Sequence, residues 1–337
     1  MGFDQKKIEG YLAILKKHLL PNLHFKSMWD EGRQFRLPDT FDVCKGSKYF
    51  YSGSHLFLHF TTIPNLLNIL REKKIRLYSL SGMDDKDEYS GSLTNMGIKE
   101  DEWKGKQIKK NIFIFSMCEY KIEQEEKSLN LWREYGSDGN DIAIVFKIKP
   151  QLKKHWVHYM LSQVYYSKKA LNPFLKAAEE IKEYEVRENF KETDFKTAFY
   201  KLFAFHKQEI YKHEREVRLL YSTGLTERDR EKAIIDFRNK KKTLFVEREL
   251  EWKQDKDMLT NERILKLYNN KQEYLKMARN VFPHISIHKI LFGYRLSKEV
   301  KEELRDAIYE IIKNKKYKTV PKLEDSSLFK YFNEIDF

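Results

Sequence analysis

Leu56-Phe57-Leu58-His59-Phe60-Thr61-Thr62-Ile63-Pro64 is the stretch on which the reading of this chain turns. Its first residues form a short apolar run ending in hydroxyls, which predicts a strand with a polar edge. Thr62 can cap a following helix, and Pro64 suits a first turn, where a missing N–H leaves nothing unpaired. Ile63, Leu66, Leu67 and Leu70 then recur at i, i+3, i+4 and i+7, so one face of that helix is buried. Ile75-Arg76-Leu77-Tyr78-Ser79-Leu80 follows and alternates as a strand does.

Working outward, Ile8, Leu12, Leu15 and Leu19 mark an amphipathic helix over 5–19, ahead of an irregular aromatic stretch to Tyr51. Downstream, Asn111 to Ser116, Ile142 to Phe146, Gln163 to Tyr166 and Ile287 to Phe292 read as strands. Leu131-Trp132-Arg133-Glu134-Tyr135-Gly136 reads as a short helix or turn, and Asp138-Gly139-Asn140 as a turn. Residues 170–212 read as mostly helical. Glu214 to Tyr221 starts charged and ends apolar, as a strand entering a sheet does. A helix capped by Ser297 buries Val300, Leu304, Ile308 and Ile311. No Gly/Ser-rich or Pro-rich linker cuts the chain, so it reads as one elaborated α/β domain over 51–315. A helical extension (1–50) precedes it and an aromatic tail or edge strand (316–337) follows. The charge-dense 223–283 stretch reads as a largely helical insertion with a basic run, Arg238-Asn239-Lys240-Lys241-Lys242.

Composition sets the outer limits. The 337 residues are 41% hydrophobic and include 23 Phe, 20 Tyr and 5 Trp, ample material for a core. Two cysteines support neither a disulfide framework nor a multi-Cys zinc site. No apolar run approaches ~20 residues and no apolar segment follows the charged start, so a cytoplasmic protein without a membrane span is expected. The net charge of +13 favours a polyanionic partner, although the Lys and Arg are interleaved with acids along much of the chain.

Three constellations carry chemistry. His59 beside Thr61 can hydrogen-bond ribose hydroxyls; the plain alternative is a core histidine satisfied by a backbone carbonyl. In Glu214-x-Glu216-x-Arg218 the two-residue period places all three side chains on one strand face. Paired carboxylates can bond a sugar hydroxyl, orient a nucleophile and stabilise an oxocarbenium-like transition state; the alternative is a surface Glu/Arg ladder. Asp84, Asp85, Asp87 and Glu88 supply oxygen ligands in a spacing that matches no EF-hand, which reads as a solvated acidic turn. Glu249-x-Glu251-Trp252-Lys253 contains the Glu-x-Lys step of metal-dependent nucleases, without an upstream Pro-Asp partner. Walker, dinucleotide-binding and zinc motifs are missing from the sequence, so no metal is assigned.

The order of these segments resembles a bacterial family catalogued as domain of unknown function 2971. The resemblance rests on Leu58-His59-Phe60-Thr61 before the Asn65 to Leu70 helix, Ile75 to Ser81 with its acidic loop, and Phe115-Ser116. It continues through Leu131 to Gly136, Phe205-His206-Lys207 to Glu214-x-Glu216-Val217-Arg218-Leu219, and Ile290-Leu291-Phe292-Gly293. Asp84 and Lys86 stand where that family usually has Asn and Pro. The family pattern in turn looks like the ADP-ribosyltransferase fold, which implies an α+β chain with a split, mostly antiparallel sheet. It implies NAD as substrate: His59 on the ribose with Thr61 or Thr62, and Tyr78 or Ser79 on the second strand beside the nicotinamide. Glu216 is then catalytic and Glu214 orients the acceptor, with Trp132, Tyr135, Lys207 and Arg218 lining or bracing the cleft. The expected function is ADP-ribosyl transfer to nucleic acid or protein by a toxin or antiphage effector, with an antitoxin or defence partner. A metal-dependent nuclease and a non-enzymatic nucleic-acid-binding module are the alternatives.

Overall fold

The computed structural model describes residues 5–23, 41–82, 109–121, 125, 128–148, 156, 158–189, 200–222, 233–238, 241–251 and 283–332. The acidic loop at 84–88, Trp252 and Lys253 lie outside them. The fold is α+β, with a mixed, mostly antiparallel sheet and several helices. The chain divides into two compact units: Met1–Tyr51, Leu77–Phe115 and Leu152–Val246 in the first, and Ser52–Arg76, Ser116–Gln151 and Glu247–Phe337 in the second.

The second unit holds the opening motif. Strand β1 (Leu56–Thr61) leads into helix α2 (Ile63–Glu72), the first helix α1 being Gln5–His18. Thr62 is the N-cap, its side chain accepting from the Asn65 N–H, and Leu66 and Leu70 are buried as their spacing requires. β1 runs antiparallel to β4 (Ile142–Ile148), with Phe57 opposite Phe146 and Thr61 opposite Ile142. β4 pairs antiparallel with β9 (Ile285–Phe292), and β10 (Lys322–Asp325) adds to β9 in parallel. The C-terminal stretch supplies an edge strand and a short helix, α7 (Phe329–Phe332). The turn at Gly293 approaches so closely that a Cβ there would sit 2.1 Å from the Gly139 carbonyl oxygen, which only glycine avoids. Helix α6 (Lys298–Asn314) is capped by Ser297 but buries Lys301, Leu304, Ile308 and Ile312. The predicted stripe is thus turned by one residue: Val300 is exposed, and the Lys301 stem takes its place with its ammonium 3.7 Å from the Phe329 ring centroid.

In the first unit β5 (Tyr159–Gln163) and β6 (Glu216–Ser222) are antiparallel partners, Ser162 facing Arg218 and Gln163 facing Val217. β5 ends on Gln163, where the Gln163–Tyr166 strand expected from sequence begins. Helix α4 (Asn172–Arg187) buries Phe174, Ala177, Ile181 and Tyr184, and a short helix α5 spans Tyr200–Phe203. The expectation of a largely helical 223–283 insertion is corrected where it is described. β7 (Ile234–Arg238) and β8 (Lys241–Glu249) form an antiparallel hairpin, Ile234 opposite Phe245. β2 (Lys74–Ser79) and β3 (Ile112–Glu119) pair antiparallel through Tyr78–Ile114 and Ser79–Phe113. Among the described residues no helix is long and apolar enough to cross a membrane.

Candidate functional site

The first unit gathers three buried charges and a largely covered lysine around the start of β6. The chain leaves α5 through Phe205–Lys207, which runs beside Tyr165: the Tyr165 N–H donates to the Phe205 carbonyl at 2.8 Å and the Lys207 N–H to the Tyr165 carbonyl at 3.0 Å. A 3-10 turn over Glu209–Glu214 follows, and Arg215 reverses the chain in a left-handed conformation (φ 46°) before β6 begins at Glu216. Glu214 therefore precedes the strand and does not share its face, contrary to the two-residue reading of Glu214-x-Glu216-x-Arg218. What brings the two carboxylates together is Lys207. Its ammonium is 2.7 Å from Glu214 Oε2 and 3.6 Å from Glu216 Oε2.

Arg218 fixes the second carboxylate. Its Nε and Nη2 donate to Glu216 Oε1 and Oε2 at 2.7 and 2.9 Å, a two-pronged contact that matches the planar fork to the carboxylate. Nη1 donates to the Ala204 carbonyl at 2.6 Å, and the Glu216 N–H donates to the Tyr166 hydroxyl at 2.8 Å. The Arg218 side chain is 1% exposed, those of Glu214 and Glu216 6%, and that of Lys207 11%. Two carboxylates and two cations balance, as burial demands: an unpaired ion in this position would cost several kcal/mol. The arrangement holds a carboxylate ionised and oriented, which suits it to accept from a hydroxyl or to face a developing positive charge.

On the other side of the same segment lies a second group that sequence reasoning missed. His206 is buried, with Nε2 2.9 Å from the Tyr49 hydroxyl and Nδ1 without a hydrogen-bond partner among the described residues. Burial, and secondarily the Lys48 charge, lower its pKa to about 3. Lys48 donates to the Ala170 carbonyl and lies 4.4 Å from the Tyr165 ring centroid; burial lowers its pKa to about 8. Phe174 closes the group, 6.0 Å from the rings of both Tyr49 and His206. The only sequence signal was the adjacency of His206 to Lys207.

The remaining predicted residues are distributed between the units. In the second unit, His59 Nδ1–H donates to the Ser116 carbonyl at 2.9 Å, the plain alternative weighed for it. Thr61 pairs within β1 and β4, and Thr62 is spent on capping α2. Trp132, on α3 (Leu129–Tyr135), is fully buried edge-on to Phe60 (5.0 Å) and Tyr294 (6.3 Å), a core position. Tyr135 on the same helix is 49% exposed. In the first unit, Tyr78 packs beside Phe245 at 5.8 Å, and the buried Ser79 hydroxyl donates to the Lys109 carbonyl at 2.9 Å. The nuclease-like step is divided: the Glu251 carboxylate accepts from the Lys318 and Thr319 N–H groups at 2.9 and 3.0 Å and lies 3.4 Å from the Lys73 ammonium. Among the described residues no group of three or more His, Cys, Asp or Glu side chains could hold a metal ion.

No curated protein and no solved structure matches this chain. Residues 131–219, the stretch that runs from Trp132 through Lys207, Glu214, Glu216 and Arg218, match the model of a family described as protein of unknown function DUF2971.

Proposed function

We propose that this chain transfers ADP-ribose from NAD, with Glu216 as the carboxylate that faces the reacting sugar. The observation that carries the reading is the two-pronged grip of Arg218 on Glu216, with Lys207 joining Glu214 to the same group. A carboxylate that is ionised, desolvated and unable to rotate is what an oxocarbenium-like ribose requires, because it stabilises charge with no reorganisation at the moment of reaction. The bond from ribose C1 to the nicotinamide nitrogen breaks, and its electron pair leaves on nicotinamide. A lone pair of the acceptor closes on C1 while Glu214 takes the acceptor's proton. The resemblance to the ADP-ribosyltransferase fold supports the same assignment of Glu216 and Glu214. The reading no longer leans on His59, whose Nδ1–H is engaged by a backbone carbonyl.

The test is incubation of the purified chain with labelled NAD and with nucleic-acid and protein acceptors, following label transfer and free nicotinamide. Glu216→Gln, shown by near-ultraviolet circular dichroism to keep its fold, is expected to lower both by roughly 10²–10³-fold, the loss typical of removing one such electrostatic contact. Absence of nicotinamide release from the wild-type chain overturns the reading.

A second reading is favoured by the mutual pairing of all four charges: the quartet is a structural clamp in a non-enzymatic nucleic-acid-binding protein. It predicts that Glu216→Gln changes thermal stability alone.

A further inference from the structure

We infer that the second unit carries a docking surface for the phosphate backbone of nucleic acid, built on the turn that ends helix α6. Between Glu310 and Glu324 the chain holds Lys313, Lys315, Lys316, Lys318 and Lys322 and no acidic residue. All five are exposed, and none is ion-paired with a described residue. Elsewhere on the described helices lysines stand beside acids. Earlier in α6, Lys298 and Glu302 stand in an i, i+4 relation 3.9 Å apart, and on α4 the lysines alternate with glutamates. The negative end of the helix dipole accounts for Lys313 in the last turn, but its influence fades before Lys318 and Lys322.

The lysines are presented on a fixed frame. The Lys315, Lys316 and Tyr317 N–H groups donate to the Ile311, Lys313 and Ile312 carbonyls. The Tyr317 hydroxyl donates to the Leu70 carbonyl at 3.0 Å, and the Lys73 ammonium lies 4.3 Å from the Tyr317 ring centroid. Glu251 holds the next turn by accepting from the Lys318 and Thr319 N–H groups, so its charge serves the backbone and Lys73 rather than the lysine side chains. Basic character continues on to the sheet. Lys322, exposed on β10, carries it to the sheet edge; the His288 imidazole on β9 is pushed down by burial and then by Lys289, Lys147 and Lys322, with Glu324 opposing. Ammonium groups on a rigid turn form point charges without a base-reading fork, which fits sequence-independent contact with a repeating phosphodiester. Under the reading above, this surface makes nucleic acid the acceptor class; the geometry behind it is independent of the Glu216 site.

The test is anisotropy of fluorescein-labelled 30-mers (single-stranded DNA, duplex DNA and RNA) between 50 and 300 mM salt. K315E/K316E/K318E is compared with K168E/K169E/K176E, an equal charge change on exposed lysines of the first unit, both variants being checked by thermal denaturation. The first triple is expected to weaken binding roughly 10²-fold at 100 mM salt and to flatten the log–log salt dependence by roughly two to three, since each phosphate contact contributes ~0.7–0.9. The control is expected to bind within a few-fold of wild type. Equal losses in the two triples, no binding by wild type at 50 mM salt, or displacement of the DNA by polyglutamate of equal charge would each overturn the inference. Nicotinamide release without nucleic acid, measured in parallel, reports on the Glu216 reading alone, because the substituted lysines lie outside that site.

Discussion

Each unit buries a lysine beside a glutamate, and the two pairs are built on different terms. In the first unit Lys207, Glu214, Glu216 and Arg218 are all nearly inaccessible, the most exposed side chain being Lys207 at 11%. In the second, the Lys289 ammonium is 2.5 Å from Glu324, yet the Glu324 side chain is 43% exposed; Lys301 is likewise buried against a half-exposed Asp325 at 3.0 Å. Where water reaches one partner, the pair is screened and contributes little. Where it reaches neither, each ion depends on the others, and loss of one strands the rest. The C-terminal pairs fasten an edge strand, whereas the β6 quartet concentrates fixed charge that a reaction can use.

Arg218→Met breaks this comparison most severely. It removes the two-pronged partner of a buried carboxylate and leaves the Lys207 ammonium at 3.6 Å, so the expected destabilisation is about 3–5 kcal/mol. Urea unfolding at pH 7 measures it. A change below about 1 kcal/mol would show that water enters the quartet and that the two units do not differ.

Acid sharpens the comparison through His206, which is buried beside the Lys48 cation, with no carboxylate facing it among the described residues. Its pKa in the folded chain is about 3 against an ordinary 6.5. The folded state therefore holds His206 neutral while the unfolded chain takes up a proton. This contribution is intact above pH 6.5 and is lost as pH falls towards 3. The linkage integrates to about 3 kcal/mol between pH 7 and pH 4. Carboxylates titrate in the same range, so the quantity to measure is a difference. The stability of His206→Phe relative to wild type, from urea curves at both pH values, is expected to shift in the variant's favour by about that amount on acidification. A constant difference would mean that His206 is protonated in the fold.

Local chemistry explains which parts could be read from sequence. Thr62, Pro64 and the Leu66–Leu70 spacing announce α2, and Ser297 announces α6, because caps and periodicity act within a few residues. The β7–β8 hairpin was hidden by the charge density around it, and the bounds of β5 by the lack of any Gly or Pro between Tyr159 and Tyr166 to mark its ends. At the site, Glu216 and Arg218 were legible as a same-face pair. The left-handed Arg215 was not, since nothing in its side chain favours a positive φ; Lys207 joins the carboxylates only because that reversal folds Glu214 back towards it. Tyr49 and His206 are 157 residues apart, and no local pattern announces such a contact.

The smallest expected effect tests the screened side of the comparison. Glu324→Gln removes the charge facing Lys289 but keeps an amide oxygen able to accept from it, and the Tyr120 hydroxyl remains 3.4 Å from the ammonium. The Ser327 N–H donates to Glu125 and the Ser326 N–H to the Phe292 carbonyl, so the segment after β10 keeps its anchors. The expected cost is about 0.5–1 kcal/mol at low salt, shrinking as salt rises because the lost attraction was already exposed to counterions. Paired urea curves at 20 and 500 mM salt check both size and trend. A loss comparable to that of Arg218→Met, or one that salt leaves unchanged, would mean that Lys289 and Glu324 are as desolvated as the β6 quartet. Burial of charge would then no longer distinguish a fastening from a candidate reactive centre in this protein.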